Sequence, residues 1–495
     1  MKWFISLVVP LMYVVMLSMP VHAAALEEVV KEHHLPNGLT VLIVERHSAP
    51  TVAAWIRYRV GSVHENANER GIAHLLEHML FKGTKTLGTK NYQAEQPLLE
   101  EIEQIALAVH AERAKGAHAD KARIALLEKK LSDAERRADS YVVKDEFFDL
   151  YARHGGNGYN AFTSKDATTY LISLPSNKLE LWAAIESDRM KNPVLREFYT
   201  ERAVVMEERR RSYEAEPSAK LWESFIASAF PAHPYGQPII GWTSDIEYLT
   251  RTKAESFLHR YYAPNNATIV VVGDVQAEAT LKLIVQYFGD VPVGQAVPAV
   301  STREEPQQGE RRVSILAAAE PELLIGFHKT AQADPDDAVF DVLAGILGQG
   351  QSSRLYRRLV VEKQLATSVT VFDAPGNRYP NLLVFHLTPR APHTLAELEQ
   401  AVYQELGRLS TEPVTTEELT RVRNRVLFQE AQGSNSNTGL ARLLMDFDTS
   451  TGSWRSLGSY QKAITGVTAE DITRIANRYL KEENRIVGTL VTRKP

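Results

Sequence analysis

The segment Gly71-Ile72-Ala73-His74-Leu75-Leu76-Glu77-His78-Met79-Leu80-Phe81 contains two histidines and a glutamate in an otherwise apolar run. Apolar residues fall nearly all round a helical wheel, which predicts a buried helix over residues 71–81. Burying two imidazoles and a carboxylate is costly unless the groups are used. The segment therefore predicts a functional site inside the fold.

The spacing of these polar residues is typical of a metal site. His74 and His78 are four residues apart, so a helix projects both from one face, about 6 Å apart, as two ligands of one metal require. Glu77 lies on nearly the same side and can reach a metal-bound water rather than the metal. Zinc lowers the pKa of such a water towards about 7, and a neighbouring carboxylate can take its proton. His-x-x-Glu-His is the inverse of the commoner zincin motif; a chance pattern is the alternative, and the apolar context argues against it.

A hydrolytic zinc site needs a third protein ligand and one open position. Residues 201–208 are the best source, because Glu201, Val205 and Glu208 share one face of a helix. A salt-bridged surface helix is the alternative, since Arg209-Arg210-Arg211 follows. The residue pattern alone leaves this choice open.

The first 23 residues are typical of a signal peptide. Met1-Lys2 is a short positive start, residues 3–19 are mostly apolar, and Val21-His22-Ala23 offers a cleavage site after Ala23. An uncleaved anchor helix is the alternative. The chain has no cysteine, which excludes disulfides, thiolate metal sites and lipid attachment through cysteine. We therefore expect an exported protein, in the periplasm of a bacterium.

Length and composition narrow the class of protein. A chain of 495 residues is too long for one ordinary core, so at least two domains are expected. With 44% apolar residues, 24% charged residues and a net charge of −5, it lacks the basic excess of a nucleic-acid binder. No segment after the signal peptide approaches the roughly 20 apolar residues that span a bilayer.

Two local patterns describe the N-terminal part of the mature chain. Residues 34–60 are typical of a hairpin, with Asn37-Gly38 as a tight turn and runs rich in Val, Ile and Thr at 40–45 and 51–60. Residues 93–142 are rich in Ala, Glu, Lys, Leu and Arg, with apolar residues at four- and three-residue steps, which predicts two antiparallel helices. We interpret this segment as a helical-hairpin insertion, with a structural role more common than a docking or gating role.

The chain also repeats itself. Arg260-Tyr261-Tyr262-Ala263-Pro264-Asn265-Asn266 and Arg478-Tyr479-Leu480-Lys481-Glu482-Glu483-Asn484 each follow a predicted helix and precede an apolar run. Two such endings indicate duplicated α+β domains. Residues 292–308, rich in Pro, Glu and Gln, are the best linker. The predicted domains are therefore 26–291, with the insertion at 93–142, and 309–495.

Residues 71–84, from Gly71 to the Lys82-Gly83-Thr84 that follows the helix, strongly resemble the signature of the pitrilysin/insulinase metallopeptidases. The branch of short bacterial peptidases and mitochondrial processing peptidase is most similar. The resemblance extends through Gly155-Gly156, residues 160–163, Thr169-Tyr170, residues 201–208 and residues 262–266, and covers essentially the whole mature chain except the insertion. It implies an α+β fold of two homologous domains, each an antiparallel-rich sheet covered by helices.

The resemblance also implies roles for single residues. Glu208 corresponds to the family's third zinc ligand, giving one Zn²⁺ per chain, and Glu201 to a carboxylate that orients the site. Asn160-Ala161-Phe162-Thr163 resembles the family's substrate-binding edge strand, which pairs with an extended peptide. An ordinary entry from a turn into a strand is the alternative for this segment.

One departure from the family pattern concerns the second domain. Self-sufficient relatives carry an arginine and a tyrosine, seven residues apart, where this chain has Val360 and Thr367. Neither side chain can stabilise a developing oxyanion. We therefore expect a partner, a homologous subunit without zinc ligands that supplies this pair, or else a homodimer.

These observations predict a zinc-dependent endopeptidase acting on peptides or unfolded polypeptides, with Glu77 as general base. A catalytically silent scaffold or binding subunit of the same family is the alternative, which loss of His74, Glu77 or His78 would mark. A metal-dependent amidase would use the same triad, but an edge strand and two large domains suit a long extended substrate better.

Overall fold

The structure is a computed structural model that describes residues 23–493, and the predicted signal peptide lies outside this range apart from its last residue. Strands gather into two sheets, one in each half of the chain. The strands of the first half are β1 (Val30–His34), β2 (Thr40–Glu45), β3 (Thr51–Tyr58), β4 (Asn157–Thr163), β5 (Thr168–Pro175) and β6 (Ala267–Gly273). The helices of this half are α1 (Ala23–Val29), α2 (Ile72–Met79), α3 (Tyr92–Arg113), α4 (Lys121–Asp139), α5 (Glu146–Arg153), α6 (Leu179–Lys191), α7 (Phe198–Arg209), α8 (Pro217–Ala229), α9 (Thr243–Ile246), α10 (Arg251–Tyr261) and α11 (Ala277–Phe288).

The second half repeats the plan in shorter form. Its strands are β7 (Arg311–Ala317), β8 (Glu322–Lys329), β9 (Ala366–Ala374), β10 (Asn381–Pro389) and β11 (Arg485–Thr492). Its helices are α12 (Asp337–Gly348), α13 (Leu395–Arg408), α14 (Thr416–Ser434), α15 (Asn437–Thr451), α16 (Ser456–Gly466) and α17 (Ala469–Tyr479).

The strand orders confirm the predicted pair of similar α+β halves. The first sheet runs β1-β2-β6-β3-β5-β4 and the second runs β7-β11-β8-β10-β9. In each sheet the last strand of the half pairs in parallel with one neighbour and antiparallel with the other. That last strand follows a helix capped by a threonine, Thr250 in the first half and Thr468 in the second. The two matching sequence endings are therefore the same structural unit.

One expectation about the first sheet is wrong. Residues 40–45 and 51–60 do contain strands, but β6 lies between β2 and β3, so these two strands do not pair with each other. The turn at Asn37-Gly38 instead joins β1 to β2. The reason is that β6 is buried along its whole length, and a strand that is apolar on both faces is most stable in the middle of a sheet.

Each half packs one of its helices on the sheet of the other half. Helix α8 of the first half packs on β7 and β11 of the second, and α15 of the second half packs on β3 and β6 of the first. Apolar side chains of α8, such as Phe225, share a core with strand residues of the second sheet, and those of α15, such as Leu444, share one with the first. Residues 289–310, between α11 and β7, contain no helix or strand. We propose that the boundary between the domains lies there, within the linker predicted at 292–308.

The predicted helical insertion is the antiparallel pair α3 and α4, which pack along each other. Ile102 and Ala106 of α3 and Ala134 and Ala138 of α4 are buried in one hydrophobic cluster. Helix α2 lies against β4, α7 and α10, and its apolar side chains belong to the core of the first half. These elements position the residues singled out in the sequence.

Candidate metal centre

The start of helix α2 is fixed by a buried carboxylate. Glu65 accepts hydrogen bonds from the backbone N–H groups of Gly71 and Ala73, both at 2.9 Å. Gly71 has φ +92° and a Cβ there would lie 2.4 Å from the carbonyl oxygen of Ile240, so only glycine fits. Burial raises the pKa of Glu65 to about 8, against the opposing effect of its hydrogen bonds. The cap holds α2 in one position along its axis.

Helices α2 and α7 bring the three predicted ligands together. His74 Nε2 lies 3.8 Å from Glu208 Oε1, and His78 Nε2 lies 3.6 Å from Glu208 Oε2. The two imidazole centroids are 4.8 Å apart. Two ligands about 2.0–2.1 Å from one tetrahedral zinc are separated by about 3.4 Å. The spacing of these nitrogen and carboxylate donors therefore fits a zinc ion.

The protonation of the two histidines also suits a metal. Burial, and then the neighbouring His78, lower the pKa of His74 to about 4, so this ring is neutral. His78 Nδ1 lies 2.9 Å from Glu201 Oε1. Because an ionised carboxylate can only accept, Nδ1 carries a proton, and Nε2, on the side of Glu208, is the atom that could bind a metal.

Glu201 lies beside this site rather than in it. Its second oxygen is 2.7 Å from Lys82 Nζ. Burial would raise the pKa of Glu201, but hydrogen bonds from His78 and Lys82 lower it to about 2. Burial would likewise lower the pKa of His78, and the hydrogen bond and charge of Glu201 raise it. The carboxylate is therefore ionised and orients the imidazole of His78.

Glu77 is placed on the open side of the same helix. Its Oε2 accepts a hydrogen bond of 2.6 Å from Thr163 Oγ1, at the end of β4. Burial raises the pKa of Glu77, although Thr163 and His78 oppose the shift. A carboxylate whose pKa is raised is a better proton acceptor when it ionises. Glu77 can therefore hold a proton next to the candidate metal ligands His74, His78 and Glu208.

The four residues predicted to bind substrate lie in β4, which is the outermost strand of its sheet and pairs with β5. Ala161 and Thr163 face α2, Ala161 within the core and Thr163 at Glu77. Phe162 lies on the other face, near Arg57. Asn160 is exposed and lines a cavity of about 510 Å³ that also includes Glu77 and His78.

The insertion contacts the glutamate-bearing helix through buried polar pairs. Arg196, just before α7, forms a fully buried ion pair with Glu95 of α3, at 2.8 Å. Tyr199 donates to Glu103 at 2.7 Å, and Arg202 lies 3.1 Å from His110. One face of α7 therefore holds Glu201 and Glu208, and another is fastened to the insertion.

The positions of the missing pair lie in the second half. Val360 is largely buried in the helical segment Tyr356–Glu362, and Thr367 is exposed in β9 and donates to the carbonyl of Thr388. Neither side chain carries a cation or a phenol. Among the described residues, His74, His78 and Glu208 form the group of side chains that could hold a metal ion, with one candidate ligand atom from each lying within 4.8 Å of the others.

Sequence reasoning missed two contributors. Thr163 was expected to act only through its backbone, and Glu65 was not singled out. A signal for Thr163 exists in the alternation of β4, which puts residues 161 and 163 on the helix-facing side. No local pattern identifies Glu65, because its partners are backbone N–H groups six and eight residues ahead.

Comparison with known proteins places these features in a family. A family model described as insulinase (peptidase family M16) matches residues 40–116 and 140–242, and one described as peptidase M16 inactive domain matches residues 248–426. Together they cover most of the chain. The chain belongs to the insulinase family of M16 peptidases. The unmatched residues 117–139 fall almost wholly within the hairpin of α3 and α4.

Several M16 relatives align over nearly the whole chain. The zinc protease PqqE of Helicobacter pylori is 26% identical, over 93% of this chain and 92% of that protein. The crystal structure of a protease from Helicobacter pylori has a TM-score of 0.78 and 25% identity, covering 94% of this chain and 99% of that one. The periplasmic protease PqqL of Escherichia coli shares the fold, with a TM-score of 0.70 and 20% identity, but this chain covers 48% of it. In residues 23–493, no helix is both long and apolar enough to cross a membrane.

Proposed function

We propose that this M16 family member is a zinc-dependent endopeptidase that cleaves peptides or unfolded polypeptides. The observation that carries the proposal is the convergence of His74, His78 and Glu208, which are up to 134 residues apart, on one point beside Glu77. The relatives named zinc proteases support the same metal. His74, His78 and Glu208 would hold one Zn²⁺, and the part-exposed Glu208 side chain, 40% exposed, leaves room for an open position.

The protein groups have distinct tasks in the proposed reaction. When bound, zinc supplies Lewis acidity and a nucleophilic water whose pKa is near 7. Glu77 takes a proton as the peptide carbonyl is attacked and returns it to the leaving amine, so the proton count balances. Thr163 holds one oxygen of Glu77, which leaves the other free for the proton. Glu201 keeps His78 in the tautomer that binds metal.

The proposed substrate is an extended chain bound at β4. An edge strand offers N–H and C=O groups that pair with any extended peptide, so affinity depends little on sequence. Asn160, Ala161, Phe162 and Thr163 would form this contact, with the adjoining cavity of about 510 Å³ receiving a side chain next to Glu77. The Ala161 and Phe162 side chains pack into the sheet and would act by keeping the edge straight.

We further propose that the active form of the protein is a dimer. Val360 and Thr367 cannot stabilise an oxyanion, so a homologous subunit would supply the arginine and tyrosine. The periplasmic protease PqqL is about twice as long as this chain and shares its fold, which supports a two-part arrangement. A homodimer is the other form of pairing. The signal-peptide pattern, together with that periplasmic relative, supports export as the location.

Glu77→Gln tests the central proposal. Gln cannot take the proton, so we expect turnover of an unstructured peptide to fall by about 10²–10⁴-fold. Zinc content, measured by atomic absorption, should stay at one ion per chain, because Glu77 is not a ligand. Glu207→Gln is the matched control, since Glu207 is part-exposed, like Glu208, but pairs with Arg210 and Arg211. Undiminished turnover in Glu77→Gln would refute the role of general base.

The pairing is tested by assaying the zinc-loaded chain alone and with a homologous subunit that carries the arginine and tyrosine. Little turnover alone and full turnover with the subunit would support a heterodimer. Full turnover by the chain alone would defeat the idea of a missing pair. One zinc per chain without turnover under either condition would favour the silent binding subunit.

A further inference from the structure

The turn between β4 and β5, residues 164–167, carries two buried charged side chains. Lys165 is 4% exposed and Asp166 is 7% exposed. Charged residues in a hairpin turn usually point into solvent, since burial without partners is costly. Here each has partners outside the turn, which makes the turn a point of attachment.

Asp166 is shared by both halves of the chain. Its Oδ1 and Oδ2 accept from the hydroxyl of Tyr235, at 2.7 and 2.9 Å. Oδ2 also accepts from the backbone N–H groups of Asn377, at 3.0 Å, and Arg378, at 3.3 Å. Asn377 and Arg378 belong to the loop between β9 and β10 in the second half. This loop is the counterpart of the β4–β5 turn, so the two sheets meet turn to turn.

The loop from the second half fits closely against Asp166. A Cβ on Gly376 would lie 2.5 Å from the Tyr235 hydroxyl and 2.8 Å from Asp166 Oδ2. On the other side of the turn, a Cβ on Gly61 would lie 2.3 Å from the carbonyl oxygen of Ser164. Two glycines therefore let backbone approach the turn from both sides. Such packing leaves the turn little freedom to shift.

The turn begins directly after Thr163, which hydrogen-bonds to Glu77 at 2.6 Å. The side chain of Lys165 bonds to the carbonyl oxygen of Gln237, so the turn is held from a third direction. A displacement of residues 164–167 would move Thr163 Oγ1, and with it the carboxylate of Glu77. The contacts form a continuous chain from the second half to the proposed general base.

We propose that Asp166 is a positioning residue, through which the β9–β10 loop of the second half holds Thr163 and thereby aims Glu77. The proposal rests on the proposed peptidase function. It gives the second half a task in the reaction although it holds none of the proposed ligands. Asp166 itself touches neither substrate nor metal.

Asp166→Asn tests this role, because an amide presents N–H donors where the carboxylate accepts from three groups. We expect kcat to fall about 10-fold to 100-fold, with zinc affinity unchanged, because the ligands lie on α2 and α7. In a double-mutant cycle, Asp166→Asn should cause little further loss of kcat when it is added to Thr163→Val. Additive losses in kcat would overturn the proposal, since Asp166 would then act independently of Thr163.

Hydrogen exchange gives a readout that does not depend on activity. Amides of residues 160–168 should exchange at least 10-fold faster in Asp166→Asn, and less so in the milder Tyr235→Phe, which removes one donor. Asp133→Asn, at an exposed position on α4, is the matched control and should change neither exchange nor kcat. Unchanged exchange in Asp166→Asn would overturn the proposal even if the chain cleaves no peptide. A chain inactive in every form, with faster exchange in Asp166→Asn, would instead refute the proposed function while showing that Asp166 holds the turn.

Discussion

Helices α2 and α12 occupy equivalent places in the two halves. Helix α2 follows β3, which lies beside β6, and α12 follows β8, which lies beside β11. Helix α2 presents Glu77 and His78 to a cavity and carries His74 next to them. Helix α12 is buried almost throughout and carries no histidine. The same place in the fold therefore holds a polar centre open to solvent in one half and a closed core in the other.

The charges of α12 show how that closure is achieved. Asp337 lies 2.7 Å from Lys329 Nζ, and Lys329, with no exposed side-chain surface, also pairs with Asp373. Asp341 accepts from the hydroxyl of Tyr460 at 2.6 Å. Both acidic side chains on this helix therefore have partners from the same half. On α2, in contrast, His74 and His78 face Glu208 of α7 at 3.6–3.8 Å, too far for a direct hydrogen bond, which leaves nitrogen atoms available for a ligand.

The largest expected effect tests the closed half. Lys329→Met removes the cation and leaves Asp337 and Asp373 facing each other in the core. Breaking a buried ion pair in this way costs about 3–5 kcal/mol of the free energy of unfolding. Zinc affinity should not change, because the proposed ligands lie in the other half. Calorimetry of the full chain, with chelator competition for zinc, measures both quantities.

Lys462→Met is the control for this change, since Lys462 is exposed on α16. It should alter stability by no more than about 0.5 kcal/mol. If Lys329→Met were as mild as this control, the buried network would not stabilise the second half. If it weakened zinc binding, the two halves would be coupled more strongly than their comparison indicates.

An intermediate effect is expected in the open half. Glu201→Gln keeps the shape of the side chain but removes the charge that orients His78, so zinc affinity should fall about 10–100-fold. The fold should be retained, because α7 stays anchored through Arg196 and Glu95. Zinc competition with a chelator gives the affinity, and Glu207→Gln is the matched control. If Glu201→Gln bound zinc with wild-type affinity, the role of Glu201 would be limited to its ion pair with Lys82.

The sequence alone predicted those site residues whose arrangement depends only on local structure. His74, Glu77 and His78 share a face because a helix repeats every 3.6 residues, and that geometry is independent of the rest of the chain. The repeated endings at residues 260–266 and 478–484 were equally readable. Glu208 was different, since the residue pattern left it open and only the family resemblance favoured it. Its proximity to His74 depends on how α7 packs against α2, which no local pattern encodes.

Other features depend on long-range contacts that compete with local signals. The placement of β6 between β2 and β3 overrides a hairpin-like sequence, because a fully apolar strand is best buried centrally. The exchange of α8 and α15 was not predicted, since an amphipathic helix shows which face is buried but not which sheet covers it. Thr163 and Asp166 likewise gain their roles from partners 86 and more than 200 residues away.

The smallest expected effect contrasts carboxylates on equivalent helices, Glu201 on α7 and Glu430 on α14. Hydrogen bonds from His78 and Lys82 outweigh burial and lower the pKa of Glu201, whereas burial raises the pKa of Glu430 to about 7, opposed only by a hydrogen bond from Gln461. Between pH 4.5 and 7 the folded chain therefore keeps a proton on Glu430 that the unfolded chain has lost. The stability from this group is present below about pH 4.5 and is lost as pH rises through 7.

Glu430→Gln should remove that dependence, because an amide does not titrate while still accepting from Gln461. Relative to the variant, the wild type should lose about 1 kcal/mol of unfolding free energy between pH 5 and pH 8. This is less than the full pKa shift would give, because Glu430 lines an open groove where solvent screens its charge. Denaturant titrations at the two pH values measure it, with Glu417→Gln on the exposed start of α14 as control. If the unfolding free energies of wild type and Glu430→Gln changed in parallel with pH, Glu430 would be ionised in the folded chain. Glu201 and Glu430 would then be in the same protonation state.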